Sequence, residues 1–502
     1  MKPFRTFAPA AGTTLGLTFA TLSSLVGIAG FALAAPAVAR GQETMVGKIA
    51  LTTDSADARA AYLHGRDLTE RLRGQEARAD FQQAVATDPG FAMAWLGLAN
   101  QQPSAREFFE KLDKAVALVA NVTEGERLTI LGAQAGGRGD VAAQLKIYEE
   151  LVQKYPNDER AQMLLGTNLF GAQRYADAIS HYDRVTAINP GFPQAYNLIG
   201  YSYRFLGQMD RSEAAFKKYT EVLPGDPNPW DSYAELLLKE GRFDEAIRDY
   251  RKALAVRGDF VNSRFGIATC LDLQGKGTAA RKELDAMLAK AADDGQRRAG
   301  LTAKAVSYAY EGNYAAAEGE IGKQLKLAEK IHDAINMAGD HVTIGDIALA
   351  AGEIEKAERH YAQALKTVED SPTVAPANKE NQRRFAIYNR AKIALAKNDL
   401  AEANKASTEL GAAVASSGNP FQIRLGHEVA GRAALAGKQW DAAIAELNQA
   451  NLLDPYNVYR LSLAYAGKGD AAKAQQLANA AMNDNTLVNL NLGLVRLKLK
   501  AG

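Results

Sequence analysis

Four segments between Glu159 and about Lys290 repeat one pattern at a spacing of 34 residues. Gly166, Gly200, Ala234 and Ala268 form one column, and Leu165, Ile199, Tyr233 and Ile267 a second. Ala178, Ser212, Ala246 and Ala280 form a third, and Tyr182, Phe216, Tyr250 and Leu284 a fourth. A fixed period of this length constrains the fold more than any local propensity. Each repeat is one small unit that cannot bury its apolar faces alone, so the units must stack on their neighbours.

Residues 227–260 show the physics of one repeat. Asn228 and Pro229 open helix A, where the missing proline N–H costs nothing. Trp230, Tyr233, Ala234 and Leu237 recur at helical spacing and share one face. Gly241 suits the left-handed residue that often ends a helix. Asp244 and Glu245 favour the positive end of helix B, whose inner face carries Ala246, Tyr250, Ala253 and Leu254. Small Ala246 is expected to face small Ala234, with aromatic rings filling the gaps to either side.

Period and pattern together resemble the tetratricopeptide repeat (TPR), of an exported bacterial type. The resemblance implies an all-α, right-handed superhelical solenoid of antiparallel helix pairs. The regular block spans 58–290. Its first repeat carries Gly65, Ala77, Phe81, Ala84 and Pro89; the second starts at Trp95, Leu98 and Ala99 and is broken by Gln101-Gln102-Pro103-Ser104. A helix is expected from Ala105 to Ala120 with Phe108, Phe109, Leu112 and Ala115 inward. Thr123 and Glu126 form a capping-box signal. From 291 to 483 the small residue of helix B falls at Ala317, Ala357, Ala403, Ala443 and Ala474, with gaps of 40, 46, 40 and 31. That change implies longer helices or longer connections. Residues 484–502 read as a C-terminal capping segment. The alternation of Val488, Leu490, Leu492 and Leu494 suits a strand, whereas the setting after helical pairs suits a helix packed on the last repeat.

Residues 1–39 carry Lys2 and Arg5 and then no charge until Arg40, and end in Ala37-Val38-Ala39. This reads as a secretory signal peptide; an uncleaved N-terminal anchor is the alternative. Cleavage after Ala39 removes two cations and no acid, taking the net charge from +1 to −1. The mature chain, starting with a polar lead-in at 40–57, is then exported, periplasmic or secreted, with no stable membrane insertion. Its 59 lysines and arginines against 58 acids give no electrostatic case for nucleic acid. Cys270 is the only cysteine, so an intramolecular disulfide is impossible, and its place on a helix suits a small buried hydrophobe.

The chain offers no catalytic, cofactor or metal motif. His64, His181, His332, His341, His360 and His427 form no H-E-x-x-H pattern, although His332, His341 and His360 lie in adjacent repeats. Gly275-Lys276-Gly277-Thr278 follows a helix rather than a strand and reads as an inter-helix turn, as does Arg138-Gly139-Asp140.

The resemblance also implies which positions face the concave groove. They are Arg160, Met163, Thr167 and Phe170; Gln194, Asn197, Tyr201, Arg204 and Phe205; Asn228, Asp231, Glu235, Leu238 and Lys239; and Asn262, Phe265, Thr269 and Asp272. Among these, Arg160, Met163, Asn197, Tyr201, Arg204, Phe205, Asp231, Glu235, Lys239 and Phe265 are the candidate partner-binding residues. Tyr201, Arg204 and Phe205 are of the types that anchor interfaces, although both rings could serve packing. Asp231 and Glu235 are expected to bring negative charge near Arg204. Members that clamp chaperone C-terminal carboxylates place Lys, Asn and Arg at set positions; Met163, Thr167, Leu198 and Asn228 stand there instead. The expected function is a non-catalytic scaffold holding a protein or peptide partner. The alternative is a ligand-sensing regulatory arm, since Glu124 to Asp158 resembles helical sensor segments, though no signalling domain accompanies it.

Overall fold

The structure is a computed structural model and describes residues 47–501, apart from 72, 103–104, 139, 292, 375 and 416–419. The N-terminal run with Ala37-Val38-Ala39 and the Pro103-Ser104 break lie outside the described residues. Twenty-five α-helices and one 3-10 turn make up the described chain, and no strand occurs in it.

The helices follow one another as antiparallel pairs. The early ones are α1 (Ala56–Glu70), α2 (Gly74–Thr87), α3 (Ala92–Asn100), α4 (Ala105–Ala117), α5 (Glu124–Gly137) and α6 (Val141–Lys154). The regular ones are α7 (Glu159–Gly171), α8 (Tyr175–Ile188), α9 (Pro193–Phe205), α10 (Met209–Val222), α11 (Pro227–Lys239), α12 (Phe243–Val256), α13 (Val261–Leu273) and α14 (Gly277–Leu288). The longer ones are α15 (Asp294–Tyr310), α16 (Tyr314–Lys330), α17 (Ala334–Ala350), α18 (Ile354–Asp370), α19 (Pro376–Ala396), α20 (Leu400–Ala415) and α21 (Pro420–Ala436). The chain closes with α22 (Trp440–Leu447), α23 (Pro455–Lys468), α24 (Ala471–Met482) and α25 (Leu490–Ala501). Contacts divide the chain into two compact units, one ending at Ser232 and one beginning at Tyr233.

The four sequence columns have a direct packing cause. A side chain added at Gly200 would lie 2.7 Å from the Phe216 ring, and one at Gly166 2.6 Å from the Tyr182 ring. The small residue of helix A is therefore the seat of the aromatic of helix B. Ala246 and Ala234 are both fully buried in one cluster with Tyr250. The wider spacing after residue 290 comes from the helices themselves. Those from α5 to α13 have 13 or 14 residues, whereas α15 to α18 have 17 each and α19 has 21. From α7 onward the turn inside each pair keeps one left-handed residue: Gly207, Gly241, Gly275, Gly312, Gly352 and Gly469 in six pairs, and Gln173, Asn398 and Lys438 in three others. In the α21–α22 turn the left-handed position is Lys438, one residue beyond Gly437.

Two stretches differ from the expectations. The α4 helix stops at Ala117, a 3-10 turn follows at Val119–Asn121, and Phe109 is 37% exposed rather than inward. Leu112 and Ala115 are buried in that face of the core with Phe108 packed against it, whereas Phe109 meets the neighbouring Phe108 ring edge-on. From residue 47 on, the polar lead-in is a strap across the first unit. The Ile49 N–H donates to Asp158 Oδ2 at 2.9 Å and the Thr52 N–H to Glu126 Oε1 at 2.9 Å, while Thr123 Oγ1 donates to the Ala50 carbonyl at 3.1 Å. The same two carboxylates cap helices. Asp158 Oδ1 accepts from the N–H groups of Arg160 and Ala161, and Glu126 closes a capping box with Thr123.

The C-terminal stretch is helical. Leu490, Leu492, Leu494 and Val495 are all buried, because α25 packs against α15 as well as against α23 and α24. Alternate residues in a helix lie on nearly opposite sides. An alternating apolar pattern is thus what a helix buried on two sides requires.

Candidate functional site

In the first unit, helices α7 and α9 carry Arg160, Met163, Asn197, Tyr201, Arg204 and Phe205. Arg160 is tied down by acids. Its Nε donates to Glu70 Oε1 at 2.7 Å, Nη2 to Glu70 Oε2 at 3.2 Å, and Nη1 to Glu159 Oε1 at 2.6 Å. Burial disfavours the charge, but Glu70 and then Glu159 more than offset it and raise the guanidinium above its ordinary pKa. Lys48 of the strap pairs with Glu159. Met163 is buried in the core cluster with Leu165 and Leu169. Asn197 is 7% exposed, and its Oδ1 accepts no hydrogen bond among the described residues.

Tyr201, Arg204 and Phe205 meet as one group. The Arg204 guanidinium lies 4.7 Å from the Tyr201 ring centre and 5.2 Å from that of Phe205. Tyr201 meets Phe216 edge-on at 5.1 Å and donates to Ser232 Oγ at 3.4 Å. Phe205 stacks on Tyr175 at 4.9 Å, so this ring also serves packing between repeats. Asp231 is buried. A cavity of about 300 Å³ opens beside Arg160, between α1 and the starts of α7 and α9.

The second unit uses its corresponding positions internally. Lys239 is ion-paired with Asp484, and its carbonyl accepts from Asn485 Nδ2 at 3.4 Å. Phe265 packs in a cluster with Ala268, Leu284 and Val488. Glu235 is half-buried. A space of about 10 Å³, roughly one water, lies under Val488 between Thr269, Asp272 and Tyr310. Burial pushes the Asp272 carboxyl up to about 7, although Ser307 Oγ donates to it at 2.7 Å and Arg281 opposes the shift. The C-terminal segment thus occupies the face where the sequence pattern places Lys239, Phe265 and Asp272.

A second buried polar group escaped the sequence reading. Glu428 of α21 accepts from Tyr388 at 2.7 Å, Asn457 at 3.1 Å, Arg460 at 3.1 Å and Arg432 at 3.3 Å. Burial raises its pKa, but Arg460 and Arg432 win and hold it below the ordinary carboxylate value. Lys392 pairs with Asp346, its own pKa lowered by burial. Glu428 and Arg432 are four apart on α21, but Tyr388 on α19 and Asn457 and Arg460 on α23 lie tens of positions away, so no local motif links the group. His341 and His360 approach at 3.1 Å between ring nitrogens, and burial, then His360, pushes His341 down to about 4. No group of three metal-type side chains occurs among the described residues. Cys270 is fully buried and pushed up to about 12 by burial, so it is a thiol rather than a thiolate at neutral pH. Among the described residues no helix is long and apolar enough to cross a membrane.

Comparison with known proteins adds the following. Tetratricopeptide repeat profiles match residues 163–227 and 237–305. The chain is 26% identical over 198 residues to a peroxisomal targeting signal receptor of Kluyveromyces lactis, covering 38% of this chain and 35% of that protein. It is 28% identical over 117 residues to an ER membrane protein complex subunit 2-A of Xenopus laevis, covering 23% and 36%. The match thus spans about a third of the length of these curated relatives. A solved tetratricopeptide repeat protein of Parabacteroides merdae aligns over 52% of this chain and 98% of its own, at 16% identity and a TM-score of 0.38. The helix pairs, the 34-residue columns and the two matched segments agree: this chain carries tetratricopeptide repeats.

Proposed function

We propose that this protein is an exported, non-catalytic repeat scaffold that holds a protein or peptide partner on the α7–α9 face of its first unit. The observation that carries the reading is the Tyr201–Arg204–Phe205 group. It sets a guanidinium between two rings, the residue types that dominate binding energy at interfaces. The second unit's equivalent residues are engaged by the chain's own C-terminal segment, which favours the first unit as the partner surface. The cavity beside Arg160 is at the small end of ligand-pocket size and supports the sensing arm as a second reading.

Titration calorimetry with a partner captured on the mature chain is the test. Tyr201→Ala with Arg204→Ala should weaken binding by ~2 kcal/mol or more, with helical content retained. Full affinity in the folded double variant moves the site off this face. Export is tested separately: intact-mass measurement on protein from its native host should give a chain beginning at Arg40. A chain that keeps Met1 leaves the anchor reading.

A further inference from the structure

We propose that the cavity between α1 and the start of α9 is a subsite for an acidic residue next to an apolar one in the partner segment, with the carboxylate meeting Arg66 and the apolar side chain lying against Leu63 and Leu223. The proposal rests on the peptide-binding reading above and specifies its chemistry.

The walls of the cavity are unequal in charge. Arg66, Arg71 and Arg160 line it, against Asp67 and Glu70. Arg71 is paired with Asp67 at 2.9 Å. Glu70 gives both oxygens to Arg160 and lies 3.8 Å from the Arg66 guanidinium. Arg66 is thus the cation with the loosest carboxylate contact, although its side chain is only 27% exposed and partly withdrawn from water. An incoming carboxylate can pair with Arg66 while the Arg160–Glu70 fork stays intact. The balance of charge is one cation in excess, which suits a monoanion rather than a phosphate group.

A smaller part of the cavity lining is apolar. Leu63 stands 37% exposed on α1, one of few large apolar side chains left in water. Across the cavity lie Phe192, Pro193, Val222 and Leu223. A volume of about 300 Å³ holds one or two residues, not a folded surface. An acidic side chain meets the larger, polar part and an apolar neighbour the smaller one.

The probe is the capped peptide acetyl-Gly-Ser-Glu-Leu-Ser-Gly-amide, which has no terminal carboxylate, titrated by ligand-observed NMR against the full chain. Binding with a dissociation constant below about 1 mM is expected. Replacing its Glu by Gln should weaken binding about tenfold, and Arg66→Ala in the protein should do the same. Leu63→Ser, which leaves the ion pairs untouched, should weaken it several-fold, and added salt should weaken the wild type. Hexanoate should bind at least about tenfold more weakly than the peptide; equal binding would assign the site to free carboxylic acids and overturn the peptide subsite. An unbound wild type, or a folded Arg66→Ala variant with full affinity, overturns the proposal outright. A captured partner that depends on Tyr201 and Arg204 but not on Arg66 would sink this subsite and leave the groove reading standing.

Discussion

The carboxyl of Asp272 takes its chemistry from what surrounds it. The repeat pattern puts it at a groove position, yet the structure covers it with Val488 and surrounds it with Tyr310, Ser307 and Arg281. Its carboxyl titrates near 7 in the folded state, against an ordinary 3.8. Between these values the folded chain keeps a proton that the unfolded chain has released. Stability therefore falls as pH rises through the window from about 4 to about 7, and the cost is complete above it. Asp454, held by Asn491 of α25 at 2.8 Å and pushed up to about 6 by burial, then by Glu428, acts in the same direction. His341, pushed down to about 4 by burial, acts in the opposite direction over much of that range, so the readout is a difference: the melting temperature of Asp272→Asn should fall less steeply with rising pH than that of the wild type. An unchanged slope in the variant would mean that Asp272 is solvated.

At the scale of elements, α25 is held by its apolar residues more than by its ends. Leu490 and Leu494 are 5% and 6% exposed and share a cluster with Ala305, Val306, Ile344 and Ile347 of α15 and α17. Truncating buried leucines costs about 2–5 kcal/mol each through lost transfer energy and the cavity left behind. Leu490→Ala with Leu494→Ala should lower the thermal transition of the second unit and raise binding of a hydrophobic dye, with the first unit's transition unmoved. Equal loss in both transitions would contradict the division at Ser232 and Tyr233. The strap at 47–54 is a contrasting element. Asp158 and Glu126 hold its backbone, while Lys48 pairs with Glu159, Thr53 donates to Asp88 and Ile49 packs on the core, and these partners lie 35 to 111 positions away, so no local pattern announces the docking.

For the whole molecule, nearest-neighbour stacking makes each helix pair a link in a chain. Ala246 has no exposed surface and shares its cluster with Ala234, Leu237, Tyr250 and Cys270. Ala246→Trp cannot fit without forcing the pair apart, and overpacking typically costs ~1–3 kcal/mol. Circular dichroism should show a lowered or split melting curve, since one weakened link uncouples the repeats on either side. Unchanged melting would place Ala246 on an open face.

The sequence by itself determined the repeat: the period, the helix pairs, the seating of aromatics on small residues at Gly166 and Gly200, and the left-handed turn at Gly241. These are local, because a small residue and its aromatic partner lie within one helix pair. It also determined that Tyr201, Arg204 and Phe205 share a side of α9, because spacings of three and four do so in any helix. Only the tertiary structure decided which of the repeat's polar positions are engaged within the chain. Lys239 meets Asp484 across 245 positions, and Arg160 meets Glu70 across 90. Nothing in a repeat pattern marks such pairs, since it relates a repeat to its neighbours and these partners lie several helices apart. The leucines of α25 stayed ambiguous for the same reason. Whether alternation means a strand or a helix buried on two sides depends on what packs against it, and α15 supplies the second side from nearly two hundred residues upstream.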